Sequence, residues 1–214
     1  MIISSLQKKR NDVEIFLEDG SKISLDYHVV VDSGIRKNDV LSEDKIKYLI
    51  NRSELNKIKN QAFRFLSLRN HSSHELKLKL VKKNYPRELI DDAINQLREK
   101  DFINDREFAK QFIEEKINKK KSGFYKIKSE LNKKGIEREL IEELLSSLDS
   151  EISLDNAFKL AKKKYAQLIQ KKIDNKKLNQ KIFSFLASKG FETDIILSVL
   201  NKLKFLPEEE IEIE

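Results

Sequence analysis

The sequence predicts a mainly α-helical protein of three tandem three-helix repeats, with a small β-hairpin and a helix in front of them. Three observations carry that expectation. One apolar register returns three times at intervals of about fifty residues. Gly and Pro number only five and two in 214 residues, which favours long helices over a turn-rich sandwich. Charged residues make up 37% of the chain against 39% apolar, a balance suited to thin helical assemblies with much surface.

The first forty residues stand apart. In "VEIFLEDGSKISLDY" apolar and polar positions alternate on both sides of Asp19-Gly20, with Val13, Ile15 and Leu17 before and Ile23, Leu25 and Tyr27 after. Asp-Gly between two such runs is a strong hairpin signal. "HVVVDSGI" is expected to extend the second strand or add a third before a turn at Gly34. Ser42 then reads as the N-cap of a helix through Arg69, either unbroken or interrupted between Asn51 and Glu54.

The repeat can be followed position by position. Leu89, Ile90, Ala93, Ile94 and Leu97 form an i, i+1, i+4, i+5, i+8 pattern, which covers one helical face. The pattern returns as Leu140, Ile141, Leu144, Leu145 and Leu148, and again as Ile195, Ile196, Val199, Leu200 and Leu203. The preceding helix keeps step through Leu76 and Leu80, Ile127 and Leu131, Ile182 and Leu186. Its end falls at Asn84, Gly135 and Gly190, residue types that tolerate the left-handed C-cap conformation. A third helix opens each unit and carries Ala62-Phe63, Phe108-Ala109 or Ala157-Phe158. Units this small are expected to stack on their neighbours and form an extended array. The expected divisions are 1–55 for the hairpin and helix, 56–102, 103–150 and 151–206 for the repeats, and 207–214 for an acidic tail.

Composition narrows the function. Cysteine is absent, which excludes disulfides, thiolate metal sites and cysteine nucleophiles and fits a reducing compartment. No window approaches a membrane span, and "MIISSLQKKR" has too few apolar residues for a signal peptide, so a cytoplasmic protein without membrane contact is expected. No phosphate loop, dinucleotide loop, nucleophile elbow or zincin helix is present; no catalytic residues, no cofactor and no metal are expected. His71 and His74 in "HSSH" lack partners for a metal shell; Ser72 and Glu75 form a capping box there instead. Gly123, equivalent to Ser72, is expected to cap the second unit less tightly.

The net charge of +7 and pI near 9.3 point to a polyanion or an acidic protein surface as partner. Lysines gather at Lys77, Lys79, Lys82 and Lys83 in the first repeat, and at Lys116, Lys119, Lys120, Lys121, Lys126, Lys128, Lys133 and Lys134 in the second. Phe124 and Tyr125 lie beside the second group, and further lysines continue into the third repeat. A solvated lysine face and a polyanion-binding stripe fit this pattern equally well, and a Lys-rich, Asn-rich composition can itself reflect codon bias.

"DFINDREFAKQFIEEKINKKKSGFYKIKSELNKKGI" resembles the core motif of the RecX family, bacterial regulators of the RecA recombinase. The resemblance is carried by Ile103, Asp105, Phe108 and Ala109, then Gly123, Ile127, Glu130, Leu131, Lys134, Gly135 and Ile136. Ser72, Glu75 and Leu76 resemble the family's Ser-x-x-Glu-Leu motif, while Phe124 stands where many members have proline. The resemblance implies a curved, elongated array that binds along the groove of the RecA–single-stranded DNA filament. It also implies inhibition of filament growth, ATP hydrolysis and strand exchange, with some direct contact to single-stranded DNA; a monomer is expected. The alternative from the residues is a DNA-binding protein whose units act like helix-turn-helix modules on a duplex. Against it, the candidate recognition helices end in acidic, Leu-rich stretches such as "RELIEELL".

Overall fold

The computed structural model describes residues 1–170 and 173–204. The acidic tail at 207–214, and Lys171 and Lys172 of the third repeat, lie outside the described residues. The chain divides into two compact units, Met1–Asn104 and the residues from Asp105 onward.

The first unit begins with an antiparallel sheet of β1 (Ile3–Lys9), β2 (Asp12–Leu17) and β3 (Lys22–Asp26), in the order β1-β2-β3. The expected hairpin is β2–β3, turning at Asp19-Gly20 with Gly20 at φ 84°. Val13, Ile15, Leu17 and Leu25 point into a core shared with Val29, Val30, Leu41, Ile46 and Leu49. Two expectations are corrected here. The third strand comes before the hairpin, as β1, and "HVVVD" is not a strand but the short helix α1 (Tyr27–Asp32). Asp26 caps α1 by accepting from the His28 N–H at 3.0 Å, and Val29 and Val30, adjacent in sequence, both pack into that one core, as neighbours on the broad apolar face of a helical turn can.

The following helix, α2 (Glu43–Leu66), is unbroken, and Ser42 caps it by accepting from the Lys45 N–H. The polar stretch read as a possible break serves as an anchor: buried Ser53 Oγ accepts the Asp26 N–H at 2.6 Å, and Arg52 reaches Asp32 at 3.0 Å. The first repeat uses the later half of α2 with α3 (Ser73–Val81) and α4 (Arg87–Glu99). Ser72 accepts from the Glu75 N–H at 3.1 Å, the capping half of the expected box.

The second unit holds α5 (Asp105–Asn118), α6 (Phe124–Lys133) and α7 (Arg138–Ser146), then α8 (Ser150–Ile169), α9 (Asn175–Ser188) and α10 (Thr193–Lys204). The register holds in every repeat. Leu76, Leu80, Ile127, Leu131, Ile182 and Leu186 are all fully buried, as are Ala62, Ala109 and Ala157 at the opening helices. Asn84, Gly135 and Gly190 adopt φ of 62°, 73° and 86°, the left-handed C-caps expected from their residue types. Each repeat has a separate apolar cluster, and each fully buried Leu or Ile contributes about 2 kcal/mol of transfer free energy.

Within the second unit the two repeats meet through backbone. The Gly123 N–H donates to the Lys189 carbonyl at 3.0 Å and the Tyr125 N–H to the Gly190 carbonyl at 3.1 Å. Unpaired donors at the start of α6 thus meet unpaired acceptors at the end of α9, head to tail with favourable dipoles. Gly123 gives α6 no side-chain cap, as expected, and the carbonyls of the next repeat take that role. Beside this joint, buried Asn156 on α8 donates to the Ile117 carbonyl at 3.1 Å, near the end of α5.

Candidate functional site

The lysines singled out from the sequence fall into three environments. Lys77 pairs with Asp91 at 2.5 Å, Lys128 with Glu142 at 2.7 Å, and Lys116 with Glu130. Lys77–Asp91 and Lys128–Glu142 occupy the same two register positions of the first and second repeats. The third repeat has Phe183 and Leu197 there, so the ion pair is replaced by apolar side chains.

A second group lies over aromatic rings. Lys79 Nζ is 4.8 Å from the centroid of Phe65, Lys116 Nζ 4.9 Å from Phe112, and Lys134 Nζ 5.6 Å from Phe108 and 5.3 Å from Phe112. These contacts hold the ammonium groups near the repeat while leaving them partly hydrated. Lys126 is half-buried, its backbone set against Gly190, and Lys121 is half-buried at φ 48°.

Lys82 and Lys83 in the first unit, and Lys119, Lys120 and Lys133 in the second, are exposed and carry no ion pair among the described residues. They are the cations free to neutralise a partner's charge. Tyr125, 61% exposed on the first turn of α6, adds an aromatic face to the second unit.

The carboxylates of α7 are held as structural partners. Glu142 accepts from Lys128 and Arg138, which hold its carboxyl at about 2, well below the usual range; Glu143 is held low by Arg106. These residues put negative charge on the helix a helix-turn-helix reading would place in a major groove. His71 is buried: one ring nitrogen lies 2.8 Å from the Arg69 carbonyl, and burial pushes its pKa below the ordinary value. Among the described residues no three His, Asp or Glu side chains gather as a metal site, and no helix is long and apolar enough to cross a membrane.

A further concentration of cations escaped the sequence reading. Lys8 and Arg10 from the β1–β2 hairpin, with Lys57 and Arg64 from α2, line a cavity of about 580 Å³ in the first unit, walled also by Tyr27 and Tyr85. Its residues come from four separated segments, so no local charge run marks it.

Comparison with known proteins covers all three repeats. Residues 59–97, 104–145 and 151–200 match the models of the first, second and third three-helix domains of RecX. Regulatory protein RecX of Clostridioides difficile (strain 630) is 36% identical over 199 residues, 92% of each chain. Regulatory protein RecX of Clostridium perfringens (strain 13 / Type A) is 33% identical over 199 residues, 92% of this chain and 93% of that one. A crystal structure of regulatory protein RecX superposes with a TM-score of 0.77 at 23% identity, covering 94% of this chain and 98% of that one. RecX from Lactobacillus salivarius superposes at 0.65 with 27% identity, covering 72% and 98%. The chain belongs to the RecX family of regulatory proteins.

Proposed function

We propose that this protein regulates the RecA recombinase, chiefly as an inhibitor, by lying in the groove of the RecA–single-stranded DNA filament. Bound there it damps filament growth, ATP hydrolysis and strand exchange. It acts in the cytoplasm as a monomer, without cofactor and without catalysis of its own. The observation that carries this reading is the match of all three repeats to one regulatory family. Three repeats built on one register suit a partner that is itself a repeating polymer.

The unpaired lysines supply the attraction. Lys119, Lys120 and Lys133 are exposed in the second repeat, and Lys82 and Lys83 in the first. The paired lysines, Lys77, Lys116 and Lys128, brace the repeats and contribute less to a partner. The duplex-binding alternative is weakened by Glu139, Glu142 and Glu143, all exposed on α7.

Co-sedimentation separates the two readings. The protein is mixed with preformed RecA–single-stranded DNA filament, or with bare duplex, in low salt. Retention by the filament at concentrations where duplex captures little is the expected result. Equal capture by duplex would replace the filament reading with a general DNA-binding one.

A further inference from the structure

We propose that Lys59 is a modification site, its amine taking an acetyl group from a small acyl phosphate in a cavity between the middle of α2 and the end of α4. This goes beyond the filament reading and does not depend on it.

The cavity measures about 220 Å³, and Lys59, Phe63, Gln96, Lys100 and Phe102 are among its walls. Its titratable groups are Lys59 from α2, Lys100 at the end of α4 and His28 from α1; no carboxylate lines it among the described residues. Neither lysine carries an ion pair among those residues. Arg52, two turns earlier on α2, adds positive charge nearby, although it reaches Asp32 at 3.0 Å. A small phosphorylated anion entering this space meets cations and no competing acid. Lys100, exposed at the rim, is placed to hold the phosphate beside the Lys59 amine.

Lys59 itself is half-buried, and its Nζ donates to Gln96 Oε1 at 3.2 Å. Burial, and then the charges of Lys100 and Arg52, push its pKa below the ordinary value. A lysine attacks only as the neutral amine, and desolvation beside another cation raises that fraction. The neutral amine can keep donating to Gln96 while its lone pair faces the cavity.

In the transfer, the Lys59 nitrogen bonds to the acetyl carbon and the bond from that carbon to the phosphate oxygen breaks. Phosphate leaves with the electron pair, and the amine gives up one proton to water. The product suits the cavity better than the ammonium does. Its amide N–H still has Gln96 as acceptor, and the repulsion from Lys100 is gone. Its methyl group meets Phe63 and Phe102, which stand edge to face at 4.9 Å and are 37% and 52% exposed. A thioester donor carries no anion next to its acyl carbon, so the cations favour the acyl phosphate.

The test incubates the full chain with acetyl phosphate at neutral pH, without recombinase, and times acetylation at each lysine by peptide mass spectrometry. Lys59 should react several-fold faster than the exposed lysines Lys82 and Lys119, and its rate should level off at lower pH than theirs. Lys100→Ala, at an exposed residue, should remove most of that advantage. S-acetyl-N-acetylcysteamine, a thioester without phosphate, should show a weaker preference for Lys59. Acetyl-lysine installed in place of Lys59 should melt at or above the wild-type temperature. Acetylation of Lys59 no faster than of Lys82, an undiminished advantage in Lys100→Ala or with the thioester, or a lowered melting temperature would overturn the proposal. None of those outcomes bears on filament inhibition, which is measured with RecA present.

Discussion

Substituting Gly123 by alanine tests the joint between the second and third repeats, because its backbone gives no other reason to need glycine. Gly123 sits at φ −73° and ψ 160°, where alanine is at ease. A Cβ there would stand 2.2 Å from the Gly190 carbonyl oxygen, 2.3 Å from its carbon and 2.4 Å from the Phe191 nitrogen. All three are main-chain atoms, so no side chain can swing aside. Restoring ordinary contact requires the joint to open by about 1 Å. That would stretch the Gly123–Lys189 and Tyr125–Gly190 hydrogen bonds, now 3.0 and 3.1 Å, beyond bonding distance. Two lost bonds at about 1 kcal/mol each, plus mild overpacking, put the cost of Gly123→Ala at about 3 kcal/mol. Gly20→Ala is the control: φ is 84° but nothing lies within 4 Å, so only backbone strain of about 1 kcal/mol is expected. Urea unfolding gives the energies, and hydrogen exchange at the Tyr125 amide reports the joint itself. Wild-type stability and unchanged Tyr125 protection in Gly123→Ala would refute the reasoning.

Three further outcomes are expected. Leu131→Asp places a charge at a fully buried position of the second repeat and should cost about 3 kcal/mol or more, read as loss of its melting transition; unchanged melting would mean the register is wrong. Glu142 is held at about 2 against an ordinary 4.5, so its contribution is present above pH 4.5 and is lost as pH falls toward 2. Lys128→Ala should raise the Glu142 midpoint in a carboxyl NMR titration, and an unmoved midpoint would dismiss the pair. Reversing Lys119, Lys120 and Lys133 to Glu should weaken filament binding and flatten its salt dependence with helicity intact, whereas Lys77→Ala and Lys128→Ala should change affinity little.

The repeats were legible because each buries one continuous helical stripe, and a stripe of Leu and Ile leaves a periodic trace. The left-handed caps at Asn84, Gly135 and Gly190 were legible for the same local reason. β1 was not, because a bulge between Ile3 and Ser5 shifts its register and breaks alternation, so inward positions fall at Ile3 and then Leu6. The β-branched run at Val29–Val31 suggested a strand, but the Asp26 cap and the tether to Ser53 favour a turn of helix. Ser53 looked like a break because its buried partner lies 27 residues away. The lysines were visible, but their partners were not: Lys77–Asp91 and Lys128–Glu142 form between different helices, which periodicity within one helix cannot register. Gly123 could be read as a weak cap; its close approach to Gly190 needed three dimensions.

The central claim, that this chain restrains the recombinase on its filament, is tested most directly by RecA ATP hydrolysis on single-stranded DNA, titrated with the full-length protein at low salt. A fall in hydrolysis well below one molecule per RecA protomer is the result the account predicts, since one molecule seated in the proposed groove would obstruct both growth and neighbouring sites. Unchanged hydrolysis at every ratio would contradict it.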